Sequence, residues 1–237
     1  MTGTLEIPSR FNGPLDSGNG GYSAGALARF VDGSAEVTLR RPVPLARPLD
    51  VRREDDGRAL AVAGDEVIAE ARAAPDLEID VPAPITVDEA RAARGRYRGA
   101  ASGPFSRCFV CGRAREDSLD VKAGAVEGRH VVASPWVPPA WAGDESGAVR
   151  PEIVWAVLDC PTYFAAYIDA PEPLPPAVLG RLSARIDAPV PVGEEHVAIA
   201  WPIAAEGRKR EAGVALLSAA GDVLAAGRAL LIEPRPQ

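Results

Sequence analysis

The stretch IVWAVLDCPTYFAAYI, Ile153 to Ile168, constrains this chain more than any other. It is apolar around nearly its whole circumference, so a helix here must be wrapped by other elements and not merely laid on a surface. It is interrupted by Asp159, Pro161 and Thr162 and falls short of the roughly 20 residues a membrane-spanning helix needs. The spacing therefore predicts a buried helix. Asp159 is its only formally charged residue between Glu152 and Asp169. A carboxyl group in such surroundings has a raised pKa unless it is paired, which is how general bases are tuned. The competing reading makes Asp159 a cap at a break before Pro161, because a proline disfavours helical geometry at Cys160.

The rest of the chain supplies a wrapper. After the apolar helix, LGRLSARIDAPV, EHVAIAWPIAAEG, REAGVALLSAAG and DVLAAGRALLIEP read as antiparallel strands. Earlier, AEVTLRRPVP, PLDVRRED and GRALAVAGDEVIAEARAAP alternate in the same way. They follow a helix expected to start at Gly21 with Asn19 as N-cap, after an extended Gly/Pro/Asn-rich segment. Between these sets, TVDEARAARGRYRG reads as a short exposed helix opened by Thr86, Asp88 and Glu89, and SLDVKAGAVEGRHVVASPWV as two strands around a glycine turn. The order of extended segment, apolar helix and strands thus occurs twice. The class is α+β with two similar units: residues 1–80, a linker over 81–104, and residues 105–237.

Composition removes several function classes. The 237 residues are 47% hydrophobic with a net charge of -7, which suits a globular protein and disfavours general nucleic-acid binding. The first residues lack a basic region followed by an apolar stretch, so no targeting signal is read there, and a cytoplasmic location away from membranes is expected. Three cysteines do not make a disulfide framework. Cys108 and Cys111 have the spacing of half a zinc site, but the sequence holds no second Cys/His pair at suitable spacing, and no metal is expected. Cys160 reads as a small buried thiol.

The segments GNGGYSAGALARF (18–30), CFVCG (108–112), RPEIVWAVLDCPTYFA (150–165) and GRKREAGVALLSAAGDVLAAGRALLI (207–232) resemble the thioesterase-like hotdog superfamily, and most closely its double-hotdog acyl-CoA thioesterases. The resemblance implies a double hotdog: two long helices, each wrapped by a curved antiparallel sheet, joined as a pseudo-dimer, with sites between the helices. It implies that CFVCG packs as the entry to the second unit. In the Asp-using branch, a His-Gly-Gly loop opens the helix and an Asp follows eight residues after the first Gly. Here Asn19, Gly20 and Gly21 match the loop in the first half, but Ala28 stands at the acid position. In the second half Arg150, Pro151 and Glu152 occupy the loop, and Asp159 is the acid. Each half keeps a different piece, so the resemblance implies one complete site, with Gly20 and Gly21 facing Asp159.

Thioester hydrolysis needs a base or nucleophile and donors for the developing oxyanion. Asp159 would supply the first and the Gly20 and Gly21 amides the second, since a helix start presents free N–H groups and glycine leaves them unobstructed. Pro151 has no N–H to offer. The resemblance places Asn19 and Tyr22 near the substrate and Asn12 close to a substrate-orienting Asn or Gln, one residue out of register. It places Arg208, Lys209 and Arg210 at the phosphates of coenzyme A, with a solvated hairpin turn as their alternative. Thr162, one turn beyond Asp159, would hydrogen-bond the attacking water or, as helical threonines usually do, its own backbone. Coenzyme A enters only as part of an acyl-CoA or acyl-carrier substrate; no cofactor is expected, and homo-oligomers of double hotdogs are compatible with the reading. A non-catalytic double hotdog that binds an acyl ligand or serves as an assembly subunit is the second reading. GYSAG (21–25) matches a nucleophile elbow, but no core strand precedes it, and His130 and His196 read as sheet residues.

Overall fold

The computed structural model describes residues 3–235. In chain order the elements are β1 (Gly3–Leu5), α1 (Gly20–Ala28), β2 (Ala35–Leu39), β3 (Leu49–Arg53), β4 (Ala59–Ala63), β5 (Glu66–Ala73), α2 (Val87–Arg94), β6 (Gly124–Ala125) and β7 (Val132–Trp136), then α3 (Pro151–Ala166), β8 (Val178–Ile186), β9 (His196–Glu206), β10 (Lys209–Ser218) and β11 (Val223–Ile232). All eleven strands belong to one sheet in the order β1-β3-β4-β5-β2-β8-β11-β10-β9-β7-β6. Within the first half the pairing runs β1-β3-β4-β5-β2, and within the second it runs β7-β9-β10-β11-β8. Strand, helix and four further strands thus follow the same path twice.

The halves meet where β2 pairs antiparallel with β8, Ala35 opposite Ala184 and Thr38 opposite Arg181. Glu36 ties this seam together, accepting from Arg72 at 2.9 Å, Arg181 at 3.4 Å and the Ser183 hydroxyl at 3.2 Å. Burial raises the Glu36 pKa, but the Arg72 hydrogen bond and the Arg181 and Arg72 charges outweigh it and hold the carboxyl below its ordinary value.

One face of the sheet wraps α1 and α3. Along β9, Ala198 and Ala200 point into this core, while Val197 and Ile199 point the other way, as the two-residue period of a strand requires. That outer face is covered by α2, whose Ala90 and Ala93 are fully buried against it. The linker helix is therefore amphipathic, not exposed all round; its start does carry the Thr86–Glu89 capping box. Of the two strands expected around Gly128, only the second is long. The first shrinks to Gly124–Ala125, because Asp120 turns left-handed (φ 62°) and ends extended pairing upstream. The N-terminal segment contributes β1, which pairs with β3. Among the described residues no helix is long and apolar enough to cross a membrane.

α3 continues through Pro161 without a break, so Asp159 is not the cap of a helix end. A proline inside a helix costs about 3 kcal/mol or more. Here Ile153 to Leu158 are buried as a continuous block, and this packing outweighs the local preference.

Candidate active site

α1 and α3 cross in van der Waals contact because α1 presents glycine where α3 comes closest. A Cβ on Gly21 would lie 2.5 Å from the Trp155 carbonyl oxygen and 2.5 Å from the Asp159 Cβ; one on Gly25 would lie 2.6 Å from the Trp155 Cβ and 2.8 Å from the Glu152 Cα. A methyl group at either position would overlap α3, so GYSAG is a helix-packing motif. Ser23 lies inside α1, its buried hydroxyl without a partner among the described residues. His196 is bonded through Nδ1 to the Glu194 carbonyl and His130 pairs with Asp169, so neither completes a serine triad.

The start of α1 is set by Asn19, whose side-chain oxygen accepts from the Tyr22 N–H at 2.9 Å. That bond turns the Asn19 amide nitrogen toward α3, where it donates to Asp159 Oδ2 at 3.2 Å. The Gly21 N–H donates to the same oxygen at 2.8 Å. The acid of the second half is thus held by the helix start of the first, with the positive end of the α1 dipole directed at it. Asp159 is 8% exposed. Burial pushes its pKa up to about 7, a rise opposed by the Gly21 N–H and reinforced by the nearby Cys108 sulfur, with Asn19 again lowering it. Near neutral pH such a carboxyl exists in both protonation states, as proton transfer requires.

The two glycine amides are not equivalent. Gly21 is engaged by Asp159, whereas the Gly20 N–H has no acceptor among the described residues. Leu179 packs on Gly20: its Cβ and Cδ2 lie 2.9 Å from where a Gly20 Cβ would stand, and Asp159 Oδ2 lies 3.2 Å from the same point. A cavity of about 520 Å³ lies nearby between β2, β8 and β11, lined by Thr38, Arg40, Gly180 and Ile232, without reaching Asp159.

The remaining residues singled out from the sequence fall into two groups. Tyr22, Thr162 and Asn12 have their places fixed by the protein itself. Tyr22 is buried and stacked on Phe11 at 4.0 Å. Thr162 donates to the Asp159 backbone carbonyl at 2.6 Å. Asn12 donates to the carbonyls of Pro14 and Arg107 and accepts from Arg115 at 2.7 Å, tying the N-terminal loop to the CFVCG segment. The second group is the β9–β10 turn, which sits beside Tyr167 and Glu233. Arg208 donates to the Glu233 carbonyl at 2.7 Å, Arg210 pairs with the Glu233 carboxylate at 2.9 Å, and Lys209 is exposed. Tyr167 follows Asp159 by about 12 Å along α3.

Leu179 and Gly25 were not singled out from the sequence. The four-residue spacing of Gly21 and Gly25 is the signal that would have found the crossing; nothing local marks Leu179.

No protein-family model and no curated protein matches the chain. Solved structures do. An acyl-CoA thioesterase II, TesB2, from Mycobacterium marinum superposes with a TM-score of 0.62 at 14% identity, covering 100% of this chain and 94% of that one. A conserved protein of unknown function with a hot dog fold from Alicyclobacillus acidocaldarius gives 0.61 at 13% identity, over 100% and 94%. The pyran synthase domain from module nine of the sorangicin pathway gives 0.59 at 17% identity, over 99% and 93%. The fold is therefore the hotdog fold. Such structures also carry other activities, so the chemistry has to be argued from the site.

Proposed function

We propose that this chain is a double hotdog that hydrolyses an acyl thioester, acyl-CoA or acyl-carrier, at one site shared between its halves. The observation that carries the reading is the Asp159 carboxyl on α3, buried and held by Gly21 and Asn19 from the start of α1. Asp159 acts as general base on water or as the nucleophile itself. The Gly21 N–H positions the acid, and the unengaged Gly20 N–H receives the oxyanion, so the two amides divide the work. Substrate entry displaces Leu179 from Gly20. Asn19 fixes the acid, while Tyr22, Thr162 and Asn12 shape the walls behind it. Lys209, with Arg208 and Arg210 behind it, offers cations to the coenzyme A phosphates at the far end of α3.

The Leu179 side chain over Gly20 also favours a second reading, a non-catalytic double hotdog that binds an acyl ligand. A panel of acyl-CoA thioesters, assayed with purified protein for both thiol release and equilibrium binding, separates the two. Thiol release that saturates with substrate supports hydrolysis. Binding without release establishes the second reading in its place, and neither signal on any thioester removes both.

A further inference from the structure

Beside the Asp159 carboxyl lies a group of side chains that the proposed hydrolysis does not use. Cys108 and Cys111 come from the CFVCG loop, and Cys160 follows Asp159 on α3; Cys160 is distant from the pair in sequence, and the fold brings the three sulfurs within 4.8 Å of one another. The Cys108 and Cys160 sulfurs are 3.8 Å apart. A tetrahedral metal–thiolate centre with bonds of about 2.3 Å has sulfur–sulfur edges of about 3.8 Å. No disulfide links any pair, and all three are free thiols.

The loop has the shape that thiolate ligation needs. The Gly112 N–H closes the turn on the Cys108 carbonyl at 2.9 Å. Only glycine fits after Cys111, because a Cβ on Gly112 would lie 2.6 Å from both the Cys108 nitrogen and oxygen. The Asn19 amide nitrogen, 3.9 Å from the sulfurs of Cys108 and of Cys160, supplies a donor directed at sulfur. It thus offers hydrogen to the sulfurs, as suits thiolates, while the Asp159 carboxyl lies on the same side and is bonded to that amide.

We propose that Cys108, Cys111 and Cys160 bind a thiophilic metal ion, zinc or copper(I), through three thiolates. Each thiol that still carries its proton releases it to solvent as the metal–sulfur bond forms. Three thiolates complete the coordination of copper(I); zinc takes a solvent-derived fourth ligand, entering past Cys160, the least buried of the three. Bound there, the ion clamps the 108–112 loop onto α3 and holds Asn19 from behind. The clamp is independent of whether any thioester is hydrolysed.

The test uses the full chain, purified under reducing conditions, with its metal content measured by elemental mass spectrometry. After chelator treatment it is titrated without oxygen with zinc and, separately, with copper(I), each against a competing chromophoric chelator. One equivalent per chain is expected, and whichever ion holds against the competitor identifies the occupant. Cys111→Ser and Cys160→Ser should each weaken uptake by more than about tenfold. Cobalt(II) added to the wild type should show thiolate-to-metal charge-transfer absorption, a reading that does not depend on the variants folding. The proposal is overturned if the wild type takes up none of these ions while its three thiols remain titratable. It is equally overturned if uptake persists unchanged in both variants, or if peptide mapping finds a native Cys108–Cys160 disulfide.

Discussion

At each end of the α1–α3 crossing the start of one helix packs against the other helix, and the two ends differ in the residues that meet there. At one end the start of α1 meets α3 through Gly21 and Asn19, and a carboxyl group sits between them. At the other, the start of α3 meets α1 through Glu152 and Gly25, with Ala28 at the position matching Asp159. There Pro151 supplies no amide proton and Glu152 folds back onto Arg150 at 3.2 Å. A helix start needs free amides and an acid to become a reactive site; without them the same geometry is only packing. The α1 end thus joins an acid to donating amides, and the α3 end, with Pro151 and Ala28, does not.

The contrast predicts its own perturbations. The largest effect is expected for Asp159→Asn, which should lower thioester turnover by about 10² to 10⁴-fold. Glu152→Gln, at the α3 end, should leave steady-state rates within a factor of two or so. If Glu152→Gln is the more damaging, the assignment of the two ends is reversed.

Next come the glycines of the crossing. Gly21→Ala and Gly25→Ala each force a methyl group into backbone of α3, and each should cost about 1–3 kcal/mol in urea unfolding. Only Gly21→Ala should also depress turnover of the folded protein, since its methyl meets the Asp159 Cβ. Equal loss of turnover in both would mean that the crossing, and not the acid, is what matters.

Asn19→Ala should be smaller. Losing the N-cap should cost about 1 kcal/mol of stability, and losing one hydrogen bond to Asp159 should slow turnover about tenfold. Asn19→Asp keeps the cap but places a second buried acid against Asp159, and should raise the pH at which either carboxyl ionises and slow turnover at neutral pH more than Asn19→Ala does.

The smallest effect concerns the seam. Glu36 has a folded-state pKa below its unfolded value, so its contribution to stability is complete above the unfolded pKa of about 4.3 and is lost as pH falls through the folded value. The carboxylate is partly open to solvent, so the loss should stay under about 1 kcal/mol. Thermal unfolding followed from pH 6 to pH 3 should show it as a fall in midpoint that is shallower in Glu36→Gln. Parallel profiles would remove Glu36 from the seam's electrostatics.

Much of this was readable before the fold was known, and the reason lies in period and polarity. α3 declares itself by its apolar run from Ile153, and Asp159 by being the one charge between Glu152 and Asp169. The strands alternate, and the α2 start is written in its Thr86–Glu89 box. What escaped depends on contacts between distant segments. Cys160 joins Cys108 across 52 residues. Leu179 reaches Gly20 only because β8 lies beside the helix start. The passage of α3 through Pro161 reverses a local rule because burial on every side outweighs it.

The central claim is that a single end of the crossing receives the thioester. A crystal structure with a non-hydrolysable acyl-thioether analogue of coenzyme A tests it most directly. The account predicts the carbon replacing the thioester carbonyl at about 3–3.5 Å from an Asp159 carboxylate oxygen, beside the Gly20 N–H, with Leu179 displaced. An analogue bound beside Glu152 and Ala28, or bound with Leu179 still closed over Gly20, would contradict it.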